Sequence, residues 1–113
     1  MQYILLIHSA ENGSASDDEL QSMIAQYGKF TEDLRGSGAM VGGDQLQPSV
    51  TAKSVRVRDG KTLVTDGPFA ETKETLGGYY LIEAGSEQEA LDWAARIPGA
   101  QWGTIEVRGV VQR

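Results

Sequence analysis

Apolar residues fill successive positions of both parities in Tyr3-Ile4-Leu5-Leu6-Ile7, ending at His8. A strand wetted on one face alternates, whereas one covered on both does not, so this segment predicts a central strand. The period then changes. Leu20, Met23, Ile24, Tyr27, Phe30 and Leu34 recur at helical spacing and predict an amphipathic helix from Asp17 to Arg35. Ser16 followed by Glu19 forms a capping box, Asp17 and Asp18 suit the positive helix end, and Gly36-Ser37-Gly38 supplies a left-handed exit. Gly28 inside that helix costs about 1 kcal/mol relative to alanine, which is expected where a helix packs closely on a sheet.

Ala39 to Gly43 predicts a short second strand, and Asp44 to Ala52 has loop composition. Ser54 to Arg58 and Lys61 to Thr65 then flank Asp59-Gly60, the pair best suited to a type I′ turn. That turn sets the register: Val57 faces Thr62 and Val55 faces Val64, leaving Arg56, Arg58, Lys61 and Leu63 on the other side. Gly77 to Glu83 is again apolar on both parities. Ser86 and Glu89 repeat the capping box, Ala90, Trp93, Ala94 and Ile97 line a second helix, and Pro98-Gly99 stops it. Gly103 to Arg108 alternates as a last strand. The element order is that of an α+β domain of ferredoxin-like βαββαβ plan with an inserted β-hairpin, one domain over residues 1–113. Two helices cover one sheet face only, so the two-sided strands imply a second copy on the other, and a homodimer is expected. The first strand and the Gly78 to Glu83 strand are expected to run parallel, which sets His8 far from Asp66.

Composition narrows the function classes. A chain of 113 residues with 40% hydrophobic and 23% charged residues is ordinary for one globular domain. It contains no cysteine, which excludes disulfides and thiolate chemistry, and its one histidine makes zinc improbable. Neither EF-hand spacing nor a phosphate loop nor a nucleophile elbow occurs, so no cofactor or metal is expected. The apolar run at Tyr3 is too short to span a bilayer and no basic segment precedes it, so the cytoplasm is expected and a membrane is not. A net charge of −6 argues against direct nucleic-acid binding.

The densest chemistry is Asp66-Gly67-Pro68-Phe69-Ala70-Glu71-Thr72-Lys73-Glu74. As structure, Asp66 bonds its own backbone, Gly67-Pro68 sets a bend and Phe69 plugs the loop into the core. As a site, Asp66 or Glu71 is a general base, Lys73 holds an anionic substrate and Phe69 walls an apolar pocket. His8 is the one group whose ordinary pKa lies near neutrality, and it is the candidate catalytic partner of Asp66. Tyr27 and Tyr79 are candidate lining residues of the same pocket. Arg58 opposite Lys61 is a like-charge pair that a bound anion would relieve.

The run Asp66 to Glu74 resembles the signature of the DGPF proteins, a branch of the YCII-related family. Tyr3-Ile4-Leu5-Leu6-Ile7, Val55 to Lys61, Gly77-Gly78-Tyr79-Tyr80, Ala94 to Pro98 and Ile105 to Arg108 extend the resemblance over nearly the whole chain. The resemblance implies a ferredoxin-like domain that dimerises through its sheets into an α/β barrel, with activity mostly unassigned. Some members of the family pair a histidine on the first helix with an aspartate, and one branch handles chlorinated aromatics. Here the first helix has no histidine and Tyr27 stands about where it is expected. Two alternatives follow, the first from the candidate residues of the Asp66 to Glu74 run and the second from the resemblance. One is a small-molecule-binding protein or cofactor-free enzyme; the other is a non-catalytic partner in an extracytoplasmic-function sigma factor system.

Overall fold

The computed structural model describes residues 1–11, 16–70 and 72–113. The chain runs β1 (Gln2–Ser9), α1 (Asp17–Ser37), β2 (Met40–Gln45), β3 (Lys53–Arg58), β4 (Lys61–Asp66), β5 (Thr75–Glu83), α2 (Glu87–Arg96) and β6 (Thr104–Gly109). Single 3-10 turns follow β2 at Ser49–Thr51 and α2 at Pro98–Gln101. The expected Ser9 to Ala15 loop is described only as far as Glu11.

Local signals set the helix ends. The Ser16 hydroxyl accepts the Glu19 N–H at 3.2 Å, and Gly38, at φ 83°, closes α1 by donating its N–H to the Arg35 carbonyl. Ser86 caps α2 through Glu89 N–H at 3.2 Å, while the Glu89 carboxylate reaches back to the Gly85 N–H at 2.7 Å. Asp59 and Gly60 take φ of 52° and 74°, as a type I′ turn requires, and the β3–β4 register pairs Val57 with Thr62 and Val55 with Val64 as expected.

The main sheet has the order β2-β5-β1-β6 with every neighbour antiparallel. This corrects the expected parallel pairing of β1 with the Gly78 to Glu83 strand. Each helical crossover makes the strands it joins parallel, but β5 inserts between β1 and β2, and β1 between β5 and β6. Adjacent strands therefore alternate in direction. The result is a mixed α+β architecture of antiparallel sheets and two helices, consistent with a ferredoxin-like fold.

One layer of helices lies on one face of this sheet. Leu5, Leu34, Ile82 and Ile97 are fully buried between the two, with Tyr3, Phe30, Tyr80, Ala90 and Ala94 around them. Phe30 meets Tyr80 and Trp93 edge to face, with ring centroids 5.1 and 6.0 Å away. Arg96 stacks 4.6 Å over the Trp93 ring and pairs with Asp33 at 2.8 Å, tying α2 to α1.

The molecule is a slab of 47 × 44 × 18 Å, with a radius of gyration of 16.1 Å. A compact chain of this length has about 13 Å. Part of the excess is α1, whose 21 residues extend about 32 Å and outrun the sheet beneath. Its N-terminal half accordingly packs on little: Leu20 and Ile24, expected in the core, are 47% and 67% exposed. Gly28 is exposed too, and a Cβ there would meet nothing within 4 Å, so close packing on the sheet is not its role. The β3–β4 hairpin forms a separate two-stranded sheet. Among the described residues, no helix is long and apolar enough to cross a membrane.

Candidate functional site

The sheet face opposite the helices carries the side chains with chemistry. Directly paired residues share a face, so the ladders place three rows across it. The first is Gly42, Leu81, Ile4 and Arg108; the second is Asp44, Tyr79, Leu6 and Glu106; the third is Leu76, His8 and Thr104. Ile4, Leu6, Tyr79 and Leu81 are half-buried although no helix covers them. The centre is apolar and its flanks are polar.

His8 lies at the end of β1, where the pairing slips by one residue so that Gly77 is left unpaired. A bulge of this kind bends a strand and re-aims its neighbours. His8 Nε2 stands 3.2 Å from Glu106 Oε1, two residues along β6 from its partner Thr104. A carboxylate only accepts hydrogen bonds, so in this contact Nε2 is the donor. Glu106 also lies 4.0 Å from Arg108 Nε. On the other flank, the Tyr79 hydroxyl donates to Asp44 at 3.3 Å.

Two more carboxylates gather at the same end. Glu74, just before β5, accepts from the Thr104 hydroxyl at 3.0 Å, while its second oxygen is sealed from solvent with no hydrogen-bond partner among the described residues. Glu11 accepts the Ser49 N–H at 3.0 Å and also takes the Thr75 hydroxyl, and these bonds from Ser49 and Thr75 hold its carboxyl below the usual range. Glu11 thereby ties the end of β1 to the turn before the hairpin and to the start of β5.

The sequence candidates are dispersed. Asp66 does not meet His8; it ends β4, paired with Lys53 across the base of the hairpin, and its side chain is exposed. The following residue is fixed by that base: Gly67 N–H donates to the Ala52 carbonyl at 2.7 Å and its carbonyl accepts from the Ser54 hydroxyl at 2.8 Å. Phe69 is 82% exposed and plugs nothing, which overturns its expected role in the core. Lys73 is exposed, and Glu71 lies outside the described residues.

Tyr79 and Tyr27 sit on opposite sides of the sheet. Tyr27, on α1, packs against the core and accepts the Gly99 N–H at 3.1 Å. Burial pushes its hydroxyl above the ordinary value of 10, with the Gly99 bond acting in the other direction. A cleft shared by the two tyrosines is therefore not formed within one chain. Two shallow hollows exist, about 310 Å³ along α2 and β6, and about 460 Å³ between Glu83 and the C-terminal residues Val110 to Arg113. Neither touches the Asp66 to Glu74 loop.

Glu106 and Asp44 went unrecognised in the sequence, and Glu74 was read only as the last residue of the Asp66 to Glu74 run, with no role of its own. The signal for Glu106 was present: Thr104, Glu106 and Arg108 alternate on one face of the last strand, and only the strand order reveals His8 beside them.

The model of the YCII-related domain matches residues 1–112. An uncharacterized protein of Rhizobium meliloti (strain 1021) is 37% identical over 116 aligned positions, covering 96% of this chain and 90% of that protein. With one domain model spanning residues 1–112 and a relative aligned over most of both chains, the chain belongs to the YCII-related family.

Proposed function

We propose that two copies close their open sheet faces on one another as a dimeric α/β barrel, and that the enclosed space binds a small organic molecule. In this reading the His8–Glu106 pair is its acid–base group and no cofactor takes part. The observation that carries the reading is the open face itself, where Ile4, Leu6 and Leu81 lie uncovered beside two polar pairs. Apolar surface of this extent favours burial against a partner. The side chains of His8 and Glu106 are 27% and 46% exposed, so in water their attraction is weak. Excluding water by a second sheet strengthens it. Nδ1 of His8 would then exchange a proton with the ligand.

The remaining roles follow from position. The Asp66 to Glu74 loop enters β5 beside His8 and borders the mouth of the site. Phe69 supplies an apolar wall there, Lys73 and Glu71 set charge preference, and Asp66, held by Lys53, orients the loop. Tyr79 with Asp44 forms the far polar wall, and Tyr27 supports the opposite face. In this reading the chain is of the DGPF branch, which the Asp66-Gly67-Pro68-Phe69 run supports, and its hairpin is an insertion between the two halves of the plan. The protein works in the cytoplasm.

The test has two parts. Sedimentation at micromolar concentration is expected to give a dimer, and a monomer would sink the barrel. A thermal-shift screen of metabolites then compares wild type with Glu106→Gln, Asp66→Asn and Lys73→Ala, because a ligand stabilises what it binds by mass action. A metabolite that shifts wild type is expected to shift Glu106→Gln less, and equal shifts in all four proteins would remove both loop and pair from the site. If no metabolite shifts wild type, the regulatory partner of an extracytoplasmic-function sigma factor system becomes the better reading.

A further inference from the structure

The ladders set one row of the open sheet face from edge to edge: Asp44 on β2, Tyr79 on β5, Leu6 on β1 and Glu106 on β6. Three strand spacings separate its end positions, which puts them about 14 Å apart with a tyrosine ring and a leucine between them. Each end carries a carboxylate already oriented by a donor of the face itself. The Tyr79 hydroxyl donates to Asp44 at 3.3 Å, and His8 Nε2 donates to Glu106 at 3.2 Å. An ionised carboxylate has about four acceptor sites, so each keeps room for a further donor.

Charge on this face is unbalanced. Asp44, Glu74 and Glu106 stand against one guanidinium, that of Arg108, which leaves an excess of two negative charges, or one when His8 is protonated. Glu83, on the same face beside Gln2, is matched by the Met1 amine at 2.6 Å. In the dimer of the proposed function a second copy brings the same excess, so closing the sheets concentrates the imbalance. Carboxylates removed from water without a compensating charge are costly. Glu74 is partly in that position, with one oxygen sealed from solvent and no hydrogen-bond partner for it among the described residues. Among those residues, no three histidine, aspartate or glutamate side chains gather as the ligands of a metal ion would. The counter-charge that fits the row is organic, divided between two ends with an apolar middle.

We infer that the ligand of this face is an aliphatic diamine or polyamine, with one ammonium on Asp44, another on Glu106 and its methylene chain over Leu6 and Tyr79. This rests on the reading of the open face as a small-molecule site and names the class of molecule it takes. The Tyr79 ring adds to the attraction, because aromatic rings draw cations to their π faces. Ile4 and Leu81, in the next row, flank the chain. The sign is opposite to that expected from Lys73, which lies in the loop before β5 and in none of these rows.

Calorimetric titration of wild type with diaminooctane tests the inference, with octylamine, diaminopropane and octanedioate as controls. Diaminooctane is expected to bind; octylamine, with one charge, and diaminopropane, too short to reach both carboxylates, are expected to bind about tenfold more weakly, the loss of one charged hydrogen bond. Octanedioate is expected not to bind. Asp44→Asn and Glu106→Gln should each raise the diaminooctane dissociation constant about tenfold. Asp17→Asn/Asp18→Asn, on α1 across the sheet, should leave it unchanged. Equal weakening by the Asp17/Asp18 variant would mean attraction to net charge alone and overturns the inference. Diaminooctane that fails to bind, or that binds no better than octylamine, overturns the class. A neutral or anionic metabolite whose thermal shift is lost in Glu106→Gln then leaves the site standing, whereas no metabolite binding at all takes the site with it.

Discussion

Replacing Tyr27 by phenylalanine removes one oxygen and leaves the ring in place, so its cost isolates what the hydroxyl does. That oxygen accepts the Gly99 N–H at 3.1 Å in a partly buried setting, joining α1 to the turn after α2. Without it, a backbone donor loses its partner, which costs about 1–3 kcal/mol. For a chain of 113 residues the entropy of unfolding makes each kcal/mol worth about 4 °C, so the melting temperature is expected to fall by roughly 4–12 °C. Gly99→Ala supplies the companion measurement, because a Cβ there would lie 2.6 Å from the Tyr27 hydroxyl and 3.3 Å from Ile7 Cγ2. In the Tyr27→Phe background that clash is gone, so the double mutant is expected to lose less than the sum of the singles. Calorimetry at one fixed protein concentration reads all four proteins. Burial raises the Tyr27 pKa, so its contribution is complete below pH 10 and is lost as pH rises through the folded value. The advantage of wild type over Tyr27→Phe should therefore be flat to pH 10 and shrink above it. A Tyr27→Phe protein that melts with wild type, or a strictly additive cycle, would refute the bond as the tie between these elements.

The other predictions concern the sheet, the hairpin and the Glu11 tether. Gly43→Ala places a Cβ 2.7 Å from the Tyr79 carbonyl oxygen and 3.0 Å from the Tyr80 ring; urea unfolding is expected to show a loss of about 1–3 kcal/mol. Gly60→Val, at φ 74°, should strip amide protection from β3 and β4 and leave β1 and β5 protected, because the type I′ turn tolerates no β-branched residue there. Glu11 has a lowered pKa, so its tether is complete above the ordinary value of 4.5 and is lost as pH falls through the folded value. The protection factor of the Ser49 amide, its exchange rate relative to that of an unprotected amide at the same pH, should fall over that acidic window in wild type and be low at all pH values in Glu11→Ala.

Features encoded within a few residues were legible in the sequence. Ser16, Gly38 and Ser86 mark helix ends because a cap is satisfied by its own neighbours, and the two-residue Asp59-Gly60 turn leaves one register for β3 and β4. The burial of Leu20 and Ile24 was misjudged because helical period names a face but does not say how far the sheet extends beneath it. Asp66 was the carboxylate considered for His8, but Asp66 is held by Lys53 and the carboxylate beside His8 is Glu106. That pairing joins residues 98 positions apart in the chain. On an alternating strand a glutamate reads as a solvated side chain, and only the strand order makes it anything else.

The position of β1 in the sheet has a consequence for how the chain assembles. Its two neighbours, β5 and β6, pair Gln2 with Glu83 and Tyr3 with Gly109, so both arrive late in synthesis. Contacts of such long separation slow folding. Until they form, the most apolar segment of the protein has two open edges and two bare faces, the condition under which strands aggregate. The β5–α2–β6 half has shorter connections and supplies the template on which β1 docks. On a ribosome β1 is made well before both of its neighbours and is among the last strands to be sheltered, so expression is expected to depend more on protection of Tyr3 to Ile7 during synthesis than on the stability of the finished fold.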